Sequence, residues 1–238
     1  MTMRKALISF FLLALAPLVL NAQTSRHIIN VGDFTRLALI DNINVVYRCH
    51  ADSAGLAVIE CTQDVANGLM FSKNQSGRLS LQIEDEVERR GGLPTLTIYS
   101  SSLDEVENAG DSVLRVIGLP AMKAFKARLV DNGKIILRNV RASKLELQIL
   151  SGKGKLIADG SCDELAVKLV GTGEIQADQV KAGTVSCRII GTGTIGCHVL
   201  DGELKVSGSG TGKVYYKGTP SKVTVRKLGT IKAIPMDK

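Results

Sequence analysis

The chain has 238 residues, 30 of them Lys or Arg against 23 Asp or Glu, with 24 glycines, 4% aromatics and no tryptophan. That length can bury a substantial core, and so many glycines beside so few large aromatics point to tight turns around small interior side chains. The formal net charge of +7 comes from basic residues interspersed with acidic ones, without accompanying aromatics. This excludes the stacking-and-phosphate pattern of a nucleic-acid binder, and no nucleic-acid partner is expected.

Residues 1–22 read as a signal peptide. "MTMRKALISFFLLALAPLVLNAQ" places Arg4 and Lys5 ahead of an apolar run from Ala6 to Leu20, and Asn21-Ala22 offers a small residue for cleavage. The run is about 15 residues, short of the roughly 20 that a membrane span needs, and Pro17 interrupts it. Export to the periplasm or to the cell surface and outer membrane is therefore expected. Removing Arg4 and Lys5 leaves 28 basic residues against 23 acidic, a net +5. No cysteine follows the run to carry a lipid anchor, and no later stretch is apolar enough to span a bilayer.

Residues 23–102 are predicted to form a less regular set of β coils. Strands are expected at Arg36 to Ile40, Ile43 to Cys49, Leu56 to Cys61, Arg78 to Ile83 and Thr95 to Ser100. Turns fall at Asp52 to Gly55 and Asn74 to Gly77, and "EDEVERRGG" (Glu84 to Gly92) reads as a charged loop. Degenerate coils at one end of a repeat array hide an edge that would otherwise recruit another strand.

From residue 103 to 238 a phrase recurs. Gly152 in "LSGKGKLIA", Gly171 in "LVGTGEIQA", Gly191 in "IIGTGTIGC", Gly210 in "GSGTGKVYY" and Gly229 in "KLGTIKAI" are spaced by 19, 20, 19 and 19 residues. Asp131, followed by Asn132-Gly133, and Gly110 extend the series upstream at a spacing of 21. Before each corner the apolar residues alternate: Leu145, Leu147, Ile149; Leu165, Val167, Leu169; Val185, Cys187, Ile189; Leu204, Val206. After it they alternate again: Leu156, Ala158; Ile175, Ala177; Ile195, Cys197; Val214, Tyr216. Each unit is thus strand, Gly-x-Gly turn, strand and a longer polar connection such as "DGSCDE" or "DQVKAG".

A fixed period near twenty predicts units that bury their apolar faces only by stacking. The expected fold is all-β: a parallel β-helix, or two-sheet β-solenoid, with equivalent strands paired in parallel. Gly110, Gly133, Gly152, Gly154, Gly171, Gly173, Gly191, Gly193, Gly210, Gly212 and Gly229 are its turn residues, because a corner this tight needs a positive φ. The left-handed hexapeptide helix, with three short strands per coil, and an antiparallel hairpin array fit the pattern less well.

With the corners, the opening "VGDFTRLALIDNINVVY" and the closing "VYYKGTPSKVTVRKLGTIKAI", the chain from Phe34 to Ile234 resembles the putative auto-transporter adhesin, head GIN domain family, exported bacterial proteins common in Bacteroidetes. The resemblance implies a parallel solenoid with tight glycine turns and a role proposed in adhesion; it brings no catalytic residues to transfer. Lys153 in "SGKG" and Asp131-Asn132-Gly133 depart from the usual GSG corner.

Exported solenoids are often polysaccharide lyases or hydrolases, which makes a glycan-cleaving enzyme the alternative function. Such chemistry needs two carboxylates facing a cleft. The acids present, including Glu84 to Glu88, Asp104, Glu105, Glu107, Asp163, Glu164, Asp178, Asp201 and Glu203, form no repeated outward column. His27, His50 and His198 are far apart, and Cys49, Cys61, Cys162, Cys187 and Cys197 match no zinc spacing. No enzyme activity, cofactor or metal is expected. Cys187 and Cys197 read as core residues, with a Cys49–Cys61 disulfide as an open alternative. One outward column stands out: Arg128, Lys168, Arg188 and Arg226, interrupted by Gln148 and Ser207. It would suit an anionic polymer such as an acidic glycan, or it is a solvated face that blocks lateral association. A glycan or surface protein is the expected partner, and a homo-oligomer is left open.

Overall fold

The structure is a computed structural model that describes residues 24–236; the expected signal peptide lies outside the described residues. Alternation with period two turns every second side chain inward, and the structure stacks those side chains coil upon coil. Along a first ladder, Ala127, Leu147, Val167, Cys187 and Val206 are register partners. Along a second, Leu114, Ile135, Leu156, Ile175, Ile195 and Val214 are. All are buried and belong to one continuous core. The partner spacing of nineteen to twenty-one residues reproduces the sequence period, and the ladders that carry it are parallel. The fold is an all-β solenoid.

Three central strands, Lys134–Ile149, Lys155–Gly171 and Glu174–Gly191, each run through both ladders. This is possible because the connections, expected to be polar loops, are themselves paired. Val140, Arg141 and Ala142 register with Gly160, Ser161 and Cys162, and these with Val180, Lys181 and Ala182. Val140, Ala142, Cys162, Val180 and Ala182 point inward. Small apolar residues alternating with polar ones make a narrow third side, which a polarity count alone reads as loop.

The N-terminal part departs from sequential stacking. Arg36–Leu39 lies between Arg78–Ile83 and Glu105–Asn108, and Val45–Cys49 lies between Leu96–Ser100 and Val113–Ile117. Outside them sit antiparallel strands: Ser25–Asn30 against Leu56–Cys61, and Leu69–Lys73 against Arg78–Ile83. Neither Ser25–Asn30 nor Leu69–Lys73 is legible from alternation alone. The expected loop at Glu84 to Gly92 is instead a helix over Asp85–Arg90 with Val87 buried. Its acids occupy the first turn and Arg89 and Arg90 the last, complementing the helix dipole, and Gly91 at φ 66 ends it.

Inside this apolar stack Asn108 stands where neighbouring coils carry Leu39 and Leu129. Its Nδ2 donates to the carbonyls of Ser112 (2.9 Å) and Lys134 (3.3 Å), and its Oδ1 accepts the Gly110 N–H (3.2 Å). Asn108→Leu removes the side-chain acceptor of the Gly110 N–H and one of two donors to the Ser112 carbonyl, which keeps the Lys134 N–H, and we expect it to destabilise by about 1–3 kcal/mol. Chemical denaturation reads the change; an unaltered midpoint would show that water replaces the amide.

Candidate functional site

The corners come first, because they set the spacing of everything displayed on the faces. Asp131, Gly152, Gly171, Gly191, Gly210 and Gly229 all have positive φ, as the turn chemistry requires; Asp131 is the non-glycine residue there. The second glycines, Gly133, Gly154, Gly173, Gly193 and Gly212, do not. They are glycines for lack of room: a Cβ on any of them would lie closer than 3 Å to a backbone or core side-chain atom of the coil before. Gly110 stands one coil before Asp131, where the spacing places it, because the flanking ladders pair Leu129 with Asn108 and Lys134 with Val113, but it has no positive φ. Ser112 precedes Gly133 in the second column, its carbonyl accepting the Lys134 N–H as that of Gly133 accepts the Lys155 N–H.

On the first ladder's outward face, Arg128, Gln148, Lys168, Arg188, Ser207 and Arg226 are successive register partners. The predicted column therefore exists as a row, with neighbours about 4.8 Å apart. Its members are not equivalent. The Arg128 guanidinium lies 3.4 Å from both Glu105 and Glu107, and Glu107 is also held by Arg78 at 2.8 Å. Lys126 and Lys144 flank Glu146 in the same way. Further along, Lys168, Arg188 and Arg226 have no carboxylate within ion-pair distance among the described residues. Lys168 and Arg188 line a shallow depression of about 250 Å³ together with Ala166, Ser186 and Ser207, and Arg226 is the register partner of Ser207 one coil further on. The neutralised end and the free end of one row could not be told apart from spacing, because the acids that neutralise Arg128 come from the irregular coil at Glu105–Asn108.

Hydrogen bonds from Lys144, Lys155 and Lys205 hold Glu146, Glu174 and Glu203 below the usual carboxylate range. Burial pushes Asp178 up, but hydrogen bonds from Lys217 and Gln179 outweigh it and leave it lowered. These acids are ionised at neutral pH, so none of them is a proton donor for glycosidic oxygen. Burial raises the thiols of Cys61 and Cys162, the latter to about 12, which removes nucleophilic thiolate. Among the described residues no three His, Cys, Asp or Glu gather as metal ligands. All five cysteines are free thiols. Cys49 registers with Ser100 and Cys61 with Ser25, on opposite sides of strand Leu96–Ser100, so the alternative disulfide between them is not formed. Cys187 and Cys197 sit in the core as expected.

The chain belongs to the family described as putative auto-transporter adhesin, head GIN domain, whose model matches residues 33–220. Solved structures share the fold. A putative adhesin from Bacteroides fragilis is 19% identical, with a TM-score of 0.78 over 90% of this chain and 97% of that one. A putative adhesin from Parabacteroides merdae is 19% identical, with a TM-score of 0.68 over 91% and 98%. A structure from Parabacteroides distasonis described as a putative lipid binding protein is 14% identical, with a TM-score of 0.70 over 91% and 98%. No curated protein matches the chain. Among the described residues no helix is long and apolar enough to cross a membrane.

Proposed function

We propose that the chain is an exported, non-enzymatic binding module of the periplasm or cell surface, and that Lys168, Arg188 and Arg226 receive an anionic polymer such as an acidic glycan. Its solenoid forms one domain from about residue 34 to 234, the part before residue 103 closing one end. The observation that carries the reading is the run of unneutralised cations in register at the C-terminal half of the row. A polymer with regularly spaced charges meets them without reorganising a rigid sheet, so little conformational entropy is lost on the protein side. Family membership supports adhesion as the setting.

Binding of the mature chain to an array of neutral and acidic glycans at low and moderate salt tests this. Acidic glycans are expected to bind in a salt-sensitive way. Lys168→Ser/Arg188→Ser/Arg226→Ser should weaken them about tenfold or more, at roughly 0.5–1 kcal/mol per exposed cation. Arg128→Ser, already engaged by two carboxylates, should change binding by less than about twofold. Equal binding by the triple variant would sink the assignment of the strip.

A further inference from the structure

The third side of the solenoid begins at a step. Between Val113–Ile117 and Met122–Leu129 the chain runs through Gly118-Leu119-Pro120-Ala121 without joining a ladder, and Pro120 has no N–H to offer one. From Val140 onward each coil is paired there. Gly118, Ala121 and Gly160 leave little side-chain bulk beside the step. Gly160 in particular is held at φ 135, where a Cβ would run into the Val140 backbone. The result is two adjoining depressions, about 450 and 710 Å³, that share Arg141 and Ser161.

The first is lined by Met122 and by Leu200, the latter 44% exposed, while Ala142 and Cys162 beside them turn their side chains into the core. The second continues over Ile117, Leu119 and Pro120. At their junction Arg141, Ser161 and Lys181 are register partners on successive coils, so the two cations bracket the serine hydroxyl at about 5 Å on either side. Neither cation has a carboxylate within ion-pair distance among the described residues, although Asp163 lines the same depression. His198 and Lys217 continue the row. Burial and then the charges of Lys217 and Lys181 lower the proton affinity of His198, against a smaller opposing effect of Asp178: positive charge on this side is not fully neutralised.

We infer that this trough is a binding site for a single-chain amphiphile with an anionic head, of the fatty-acid class. Apolar floor alone would take any hydrocarbon, but two uncompensated cations beside it favour a chain that ends in a negative charge. The carboxylate lies between Arg141 and Lys181 and accepts a hydrogen bond from Ser161, and the alkyl chain covers the floor. Lys168, Arg188 and Arg226 do not line it, so this site stands or falls independently of the acidic-glycan strip.

The test titrates the mature chain with laurate below its micellar concentration, following heat and the imidazole signals of His198. One-to-one binding is expected, with the His198 pKa rising because a bound anion offsets Lys181 and Lys217. Arg141→Ser/Lys181→Ser should weaken laurate about tenfold or more and Leu200→Ser about threefold or more, while the glycan-strip triple variant binds laurate normally. Unchanged laurate affinity in the double variant overturns the site. So does equal binding of dodecanol, which marks a merely apolar patch, or of inorganic phosphate, which marks a bare anion site. Binding to phosphatidylglycerol vesicles without binding to monomeric laurate would assign the face to a membrane surface and overturn it too.

Discussion

Gly191→Ala is expected to lower the free energy of unfolding by about 3 kcal/mol or more, whereas Gly91→Ala costs about 1 kcal/mol. Both glycines have positive φ, 129 and 66 degrees, so strain is common to both. They differ in what a methyl group meets. At Gly191 the Cβ would press on the carbonyl oxygen, carbon and nitrogen of Gly171, one coil back; these are backbone atoms that cannot rotate aside. Gly171 in turn presses on Gly152, and Gly210 on Gly191, so displacing one corner displaces the next. At Gly91 nothing lies within 4 Å. Urea unfolding of the two variants measures the difference. Similar midpoints would mean that backbone conformation alone selects glycine at the corners and that contact between coils does not.

The same corners show how far the sequence could be read. Period, strand alternation and register were all legible from residues 103 onward, because each coil repeats one chemical solution: Val167, Cys187 and Val206 fill the same layer and Gly171, Gly191 and Gly210 turn the same corner. What the second glycine does was not legible. Gly173 and Gly193 look like turn formers in the sequence, yet their reason is the oxygen of the glycine nineteen or twenty positions earlier, a contact that exists only after stacking. The third side was hidden for a related reason. Val180 and Ala182 alternate with Lys181 and Gln179 over too short a run to outweigh the polar composition around them, and their pairing to Gly160 and Cys162 is long-range.

The irregular end was harder still. Val45–Cys49 reads correctly as a strand, but its partners Leu96–Ser100 and Val113–Ile117 are some fifty and seventy residues away, and no period links them. For the candidate surface, the row Arg128, Lys168, Arg188 and Arg226 followed directly from spacing. Its division into a neutralised and a free end did not, because Glu105 and Glu107 reach Arg128 from that non-repeating part. Arg141 and Lys181 are not legible as a column: Lys181 falls in the polar connection "DQVKAG", and only the pairing of the third side brings it into register with Arg141 through Ser161.

Removing the 19 residues Val185 to Glu203 should leave a folded solenoid one coil shorter, and removing only Val185 to Gly193 should not. The register dictates the difference. Val185 pairs with Leu204, Cys187 with Val206, Gly191 with Gly210 and Ile195 with Val214, so after the longer deletion Leu204 follows Thr184 as Val185 did. Its strand then meets Leu165–Gly171, and Val214 meets Ile175, the partners that the lost coil had. Corner stands on corner, Gly210 over Gly171. In a quasi-one-dimensional stack this costs one coil and one interface, with a denaturant slope reduced in proportion to the surface lost. The shorter deletion instead joins Thr184 to Thr194 and leaves no chain to build the first ladder at that level, so Leu165, Val167 and Leu169 lose one covering strand while the second ladder keeps its own. Far-ultraviolet circular dichroism and urea titration of the two truncations decide between them. If both unfold alike, stability resides in the whole molecule and not in nearest-neighbour stacking; if the longer deletion keeps a cooperative transition, the coil is the unit that this sequence repeats.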